Sequence, residues 1–278
     1  MTARSRRVPW LALLPAAVAV AFVVLPLIGL LGKVHWADLG SDLTSPEARD
    51  ALRLSLECSV LATLGAVVLG VPLAWTLARV SFPGRALVRA LVLIPLVIPP
   101  VVGGVGLFYA FGRQGLVGQY LYDWFGVQFT FSAAGVVMAE TFVALPFLVL
   151  TVEAALRAMD RRYEDAATTL GATRWTVFRR VTVPLIRPGL IAGAALAWAR
   201  ALGEFGATIT FAGNIRGRTR TAPLAVYLLL DSDPAVAIGL SIVLLAVCVA
   251  VLVALRDHWF SPGARSMSHG GTPGTATS

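Results

Sequence analysis

Charge is what this chain has least of. Only 14% of its 278 residues are Asp, Glu, Lys or Arg, while 57% are hydrophobic and mean hydropathy is +0.78. A soluble domain carries about a quarter charged residues. The polar surface is too small to coat a water-soluble globule, so lipid is the solvent for most of the chain. Lysine is reduced to Lys33. A P-loop needs G-x4-G-K-S/T, because backbone amides and a lysine must hold the phosphates. Gly32 precedes Lys33, but Leu27 stands where the first glycine belongs and Val34 follows. ATP hydrolysis by that route is excluded. The two cysteines, Cys58 and Cys248, lie in apolar runs with no metal or redox spacing, and read as small core residues. His35, His258 and His269 are scattered and receive no role. No span pairs Ser55, Ser59 or Ser241 with a histidine, and no HExxH occurs. An intramembrane hydrolase is therefore disfavoured.

What is there is arginine and long apolar runs. The net charge is +8. The arginines cluster between the apolar runs, which fits membrane topology rather than nucleic acid. Six stretches approach the roughly 20 apolar residues a spanning helix needs. They run from about Val8 to Leu31, Leu52 to Ala78, Leu87 to Phe111, Ala133 to Leu156, Pro188 to Phe211 and Pro234 to Leu255. The first follows Arg4, Arg6 and Arg7, yet is too long for a signal-peptide core, so it reads as a retained helix. Ser45 before Pro46, Ser132 before Ala133 and Asp233 before Pro234 read as helix starts. The third stretch contains IPLVIPPVVGGVG, whose prolines and glycines predict a kinked or unwound helix. The tail from Ser261 is poor in large apolar residues and reads as disordered. With both termini cytoplasmic, the inner segments hold fifteen Lys and Arg against seven outside.

Between the fourth and fifth stretches lies YEDAATTLGATRWTVFRRVTVPL, residues 163–185. It is too polar to span. It reads as two short helices, with Glu164 and Asp165 at the favourable positive end of the first and Gly171 as its stop. Thr173 caps the second, with Trp175, Phe178 and Val181 on one face, and Pro184 ends it. Two readings stand: an amphipathic element on the bilayer surface, or a docking element for a cytoplasmic protein.

The same stretch resembles the cytoplasmic loop of permease subunits from bacterial ABC importers. That loop has the pattern E-A-A, three residues, G, nine residues, I, one residue, L-P. Here Asp165-Ala166-Ala167, Gly171, Val181, Val183 and Pro184 fall at that spacing, with Asp for Glu and Val for Ile and Leu. Further segments, IPLVIPPVVGG (94–104), FGRQGLVG (111–118) and RALGEFGATITFAGNIRGRTRTAP (200–223), are similar to the molybdate/tungstate/sulfate group, and to its molybdate members most. The resemblance runs from about Leu54 to Arg256.

It implies an all-α integral membrane protein of the type I importer fold. The N-terminal segment and first helix would occupy 1–32, the permease core 50–256 with a coupling loop at 160–184, and the tail 257–278. It also implies a homodimer in the bacterial cytoplasmic membrane, surrounded by lipid, with two ATPase subunits and an extracytoplasmic oxyanion-binding protein. Nucleic acid is not a partner. This chain would bind no cofactor, while ATP and magnesium would sit in the ATPase. By the same resemblance Glu164, Asp165, Ala166, Ala167, Gly171, Arg174 and Pro184 belong to the ATPase-coupling loop. Alternatives are a tungstate or sulfate permease, or an ion-coupled secondary transporter. The latter would show broken helices in both halves; the sequence breaks the third stretch and offers no counterpart in the sixth.

Charges inside the membrane need partners or water. Arg200 and Glu204 are four apart, on one face of the fifth stretch. Either Arg200 attracts an oxyanion while Thr208 and Thr210 offer hydroxyls, or Arg200 and Glu204 form a structural pair. The second is favoured because Glu204 repels an anion. Glu140 is assigned to the pathway. Arg216, Arg218 and Arg220 break the charge rule, and are assigned to an outer mouth that steers an anion or to a contact with the binding protein.

Overall fold

A computed structural model describes residues 10–259. Residues 1–9 and 260–278 lie outside it, and with them most of the tail expected to be disordered. Every regular element among the described residues is a helix. In chain order these are α1 (Trp10–Leu31), α2 (Leu39–Thr44), α3 (Pro46–Arg79), α4 (Arg85–Val97), α5 (Pro100–Phe111), α6 (Gly118–Phe125) and α7 (Ala133–Ala158). There follow α8 (Arg162–Thr169), α9 (Arg174–Val177), a π segment (Phe178–Thr182), α10 (Val183–Leu202), α11 (Gly206–Phe211), α12 (Ala222–Ser232) and α13 (Pro234–Trp259). Among the described residues five helical stretches are long and apolar enough to span, and α4 with α5 makes a sixth if the bent pair counts as one.

The core is a three-helix seam of α3, α7 and α10. Lipid tails give helices no hydrophobic reason to associate, so close packing of small residues must do it. Ala62, Ala66, Gly70 and Ala74 line the α3 side. A methyl group at Gly70 would stand 2.9 Å from Leu148 Cδ2, and one at Gly189 would stand 2.5 Å from Ala155 Cβ. Buried hydroxyls of α3 add hydrogen bonds to α10 within the seam and to α12 beside it. Trp198 donates its indole N–H to Ser59 (3.0 Å), and the Ala222 amide donates to Ser55 (2.6 Å). By contrast α1 is almost bare, with no buried residue in its apolar window.

The expected helix starts are in place. Ser45 accepts from the Ala48 amide, Ser132 from Gly135 and Asp233 from Val236. The expected break in the third stretch is a bend of 117° between α4 and α5. Pro99 and Pro100 supply no amide there, so the ladder cannot run through.

The fifth stretch differs from expectation in two ways. It is not one helix from Pro188 to Phe211, because Gly203–Phe205 interrupts it. Its helix also begins earlier, and Pro184 does not end a preceding one. The π segment carries the chain through, with the Val183 amide bonding to the Phe178 carbonyl. Pro184 then sits in the first turn of α10, where a missing amide is tolerated. The short helix α12 also goes beyond the six stretches read from hydropathy.

Candidate functional sites in the 160–184 loop and at the helix break

The loop folds as two short helices joined by a tight turn. Asp160 opens it by accepting from the Arg162 amide (3.0 Å) and the Arg162 guanidinium (2.8 Å). The backbone bond first, and then the side-chain bond, hold the Asp160 carboxyl below its usual range. At the end of α8 the Ala172 amide reaches the Ala167 carbonyl (3.1 Å) and the Gly171 amide reaches that of Thr168 (2.9 Å). This is the paired-bond stop that needs a left-handed residue. Gly171 supplies it at φ +84°, and a side chain there would meet open space. Thr173 then caps α9 by accepting from the Thr176 amide (3.3 Å).

Glu164 is turned inward. Its carboxylate pairs with Arg79 Nε of α3 (3.0 Å) and accepts from the Thr182 hydroxyl (2.6 Å). It therefore clamps α8 to α3 and to the π segment instead of facing out with Asp165 and Ala166. The expected apolar face also shifts. Val177 and Thr182 are buried, whereas Trp175 is 67% exposed and stacks on Phe178 at 5.7 Å between centroids. The π turn changes the angular spacing, which simple helical counting did not anticipate. Tyr163, Leu170 and Trp175 stand exposed on the loop. The Arg174 side chain makes no hydrogen bond or ion pair among the described residues, and Ala167 is half-buried.

Removing the clamp gives a measurable result. Glu164→Ala strands the buried Arg79 charge, and breaking such a pair costs about 3–5 kcal/mol. The expected outcome is faster amide exchange confined to 160–184, with α7 and α10 still protected. Unchanged exchange in the loop would remove the clamp from the account.

The second site lies where the fifth stretch breaks. Arg200 Nη2 pairs with Glu204 Oε2 at 2.5 Å, and the other carboxylate oxygen accepts from the Ala207 amide (2.8 Å). Glu204 is 1% exposed. It thus neutralises a membrane-embedded cation and caps the start of α11. The beginning of α11 abuts the beginning of α5. A methyl at Gly206 would lie 2.9 Å from Pro100, and one at Gly104 would overlap the Thr210 hydroxyl. Gly203, in contrast, faces no neighbouring helix. Two half-helices from separate broken stretches therefore meet here.

Of the expected hydroxyls, that of Thr210 donates back to the Gly206 carbonyl (2.9 Å), while that of Thr208 is buried with no hydrogen-bond partner among the described residues. Glu140 is 1% exposed and one of its oxygens has no partner among the described residues. In the 214–221 loop Arg216 pairs with Glu47 and lies 3.8 Å from Asp50. Arg220 donates to Asn214 (2.9 Å). Arg218 is exposed, and its side chain makes no hydrogen bond or ion pair among the described residues. Sequence reading missed Arg79 and Thr182. It also missed Glu153, which binds Arg89 of α4 (2.5 Å) and Arg157 (2.8 Å). The four-residue step from Glu153 to Arg157 was the available signal.

A family model described as the inner membrane component of binding-protein-dependent transport systems matches residues 66–262. The chain belongs to this family. The permease is 49% identical over 244 residues to a molybdenum transport system permease of Mycobacterium tuberculosis, covering 87% of this chain and 90% of that one. Its Escherichia coli K12 counterpart is 44% identical over 219 residues, 79% and 95% of the two chains. A sulfate transport system permease of Salmonella typhimurium is 36% identical over 251 residues, 89% and 90%. Among solved structures, a bacterial ABC transporter that imports alginate superposes with a TM-score of 0.71 at 22% identity, over 90% and 93% of the chains. The methionine transporter MetNI, in an inward-facing form, gives 0.54 at 20% identity, over 74% and 94%. The permease fold is thus that of type I importers, in a multi-pass inner-membrane protein. The permease is a transport subunit and not itself a catalyst. Family membership overrides the ion-coupled reading, even though two stretches are broken.

Proposed function

We propose that this permease carries molybdate through the membrane as one half of a homodimeric pathway driven by a separate ATPase. The observation that carries this is the near full-length similarity to molybdenum permeases, at higher identity than to sulfate permeases. Tungstate, a tetrahedral dianion of similar size, is the second substrate to test. The missing P-loop supports an external energy source. Fifteen cationic residues against seven support a cytoplasmic loop and cytoplasmic termini. The exposed Tyr163 and Leu170 support docking of the ATPase on that loop. Asp165, Ala166, Ala167, Gly171, Arg174 and Pro184 shape the docking element, and Glu164 anchors it. The bare α1 supports packing against a second copy. ATP and magnesium belong to the ATPase; we assign no cofactor to the permease.

Arg200 acts as the partner of Glu204 in the resting pathway, and Thr208, Thr210 and Glu140 lie on the elements that must part when it opens. The outer arginines divide by role. Arg216 braces the loop against α3, Arg220 braces its own loop, and Arg218 is the residue free to meet an acidic binding protein or an anion. Arg218→Gln is expected to lower uptake by about fivefold at low ionic strength and hardly at all in high salt, because exposed charges are screened. Uptake equal to that of the unsubstituted permease at both salts would remove Arg218 from that role.

The substrate is tested by uptake of labelled molybdate into proteoliposomes of the full transporter with ATP inside. Competition by unlabelled tungstate at equal concentration, with little by sulfate, is the expected pattern. Stronger competition by sulfate would replace the substrate reading.

A further inference from the structure

We propose a binding site for an anionic phospholipid between α3 and the 160–184 loop, joining a basic headgroup cavity to an apolar groove. The cavity has a volume of about 430 Å³, and Arg79, Arg161, Arg174, Glu164 and Asp165 line it. Trp75, Arg174 and Phe178 also line the adjoining groove of about 390 Å³, which is otherwise walled by Pro72, Thr76 and Trp175. One surface thus runs from guanidinium groups to aromatic rings without leaving the protein.

The cavity is short of acceptors. The Arg79 side chain is 8% exposed, yet its ion pair with Glu164 is its sole partner among the described residues. Its Nη2 is buried with no hydrogen-bond partner among the described residues. The Arg174 side chain has no partner among the described residues, and Arg161 spends one donor on the Ala78 carbonyl at 3.4 Å. A buried, under-satisfied guanidinium is costly, and a phosphodiester oxygen is a suitable acceptor.

The charge balance selects the ligand. Three arginines face two carboxylates, leaving one net positive charge. That suits a singly charged phosphodiester better than dianionic inorganic phosphate. The adjoining groove, with its two tryptophans, suits an acyl chain, and tryptophan is the residue type enriched at the headgroup level of membrane proteins. The site touches α3, α8, α9 and the π segment. A lipid there would brace the loop against the bundle, whichever oxyanion the permease carries.

The test uses the assembled transporter, purified in a neutral detergent and examined by native mass spectrometry. Added phosphatidylglycerol is expected to be retained at least about tenfold over phosphatidylcholine. Arg161→Gln with Arg174→Gln should abolish that preference, Arg161→Lys should keep it, and Trp75→Ala should weaken retention of both lipids. Circular dichroism checks that each variant is folded; if the double variant is not, Arg161→Gln alone serves and should lower the preference severalfold. Equal retention of both lipids by the wild type would overturn the proposal. So would competition by free glycerol phosphate as strong as that by the lipid, which would mean a soluble phosphate site. Retention by the permease alone that is lost on ATPase assembly would also overturn it, by showing that protein covers the cavity.

Discussion

Gly171→Val is expected to cut ATP-driven uptake by at least about tenfold while leaving the membrane bundle intact. A branched side chain at φ +84° costs about 1–2 kcal/mol of backbone strain, and 1.4 kcal/mol is a tenfold change in an equilibrium. The strain falls on the turn that closes α8, where the Ala172 and Gly171 amides make their paired bonds. No atom lies within 4 Å of the added carbon, so neither α3 nor α7 is pushed. The damage is therefore confined to the shape a docking partner meets. Thermal unfolding in detergent should shift little, while co-purification of the ATPase should fall. Normal uptake by this variant would separate the loop from energy coupling. Gly171→Asn is the internal control, because Asn tolerates the left-handed region and should retain more activity.

Glu204 gives the second large effect, on stability rather than docking. Glu204→Ala leaves the Arg200 guanidinium without its counter-charge and opens the Ala207 amide at the start of α11. Removing one partner of a buried ion pair costs about 3–5 kcal/mol, and losing a helix cap adds about 1 kcal/mol. The expected result is a large fall in melting temperature. Arg200→Met combined with Glu204→Gln removes both charges and keeps a side-chain oxygen for the cap. It should be more stable than either Arg200→Met or Glu204→Gln alone, which a double-mutant cycle measures as a positive coupling. Additive losses would mean that the two charges do not act as a pair, and would return Arg200 to the role of an anion-attracting residue.

The legible parts of this fold were those governed by local chemistry. Ser45, Ser132 and Thr173 announce helix starts through hydroxyls within reach of the next turn. Pro99 and Pro100 announce the bend because they supply no amide, and Gly171 announces the loop turn because a residue there must have positive φ. The break at Gly203–Phe205 was hidden because hydropathy continues across it. It forms because Glu204 folds back to the Ala207 amide and to Arg200, a choice the residue types permit but do not dictate. The π segment was hidden for a similar reason, since helical periodicity assumes a constant turn. The Arg79–Glu164–Thr182 clamp joins residues from separate elements, so no local spacing encodes it. Its consequence was the largest shift in the site: Glu164, grouped with the docking face by its motif, became the anchor of the loop.

The central claim is that this permease couples a bound oxyanion outside to a separate ATPase inside through the 160–184 loop. The most direct measurement is ATP hydrolysis by the reconstituted transporter with binding protein added in molybdate-loaded and empty forms. The loaded protein is expected to stimulate hydrolysis severalfold over the empty one, and Gly171→Val is expected to abolish the difference. The same rate with loaded and empty binding protein, or undiminished stimulation in Gly171→Val, would contradict the account.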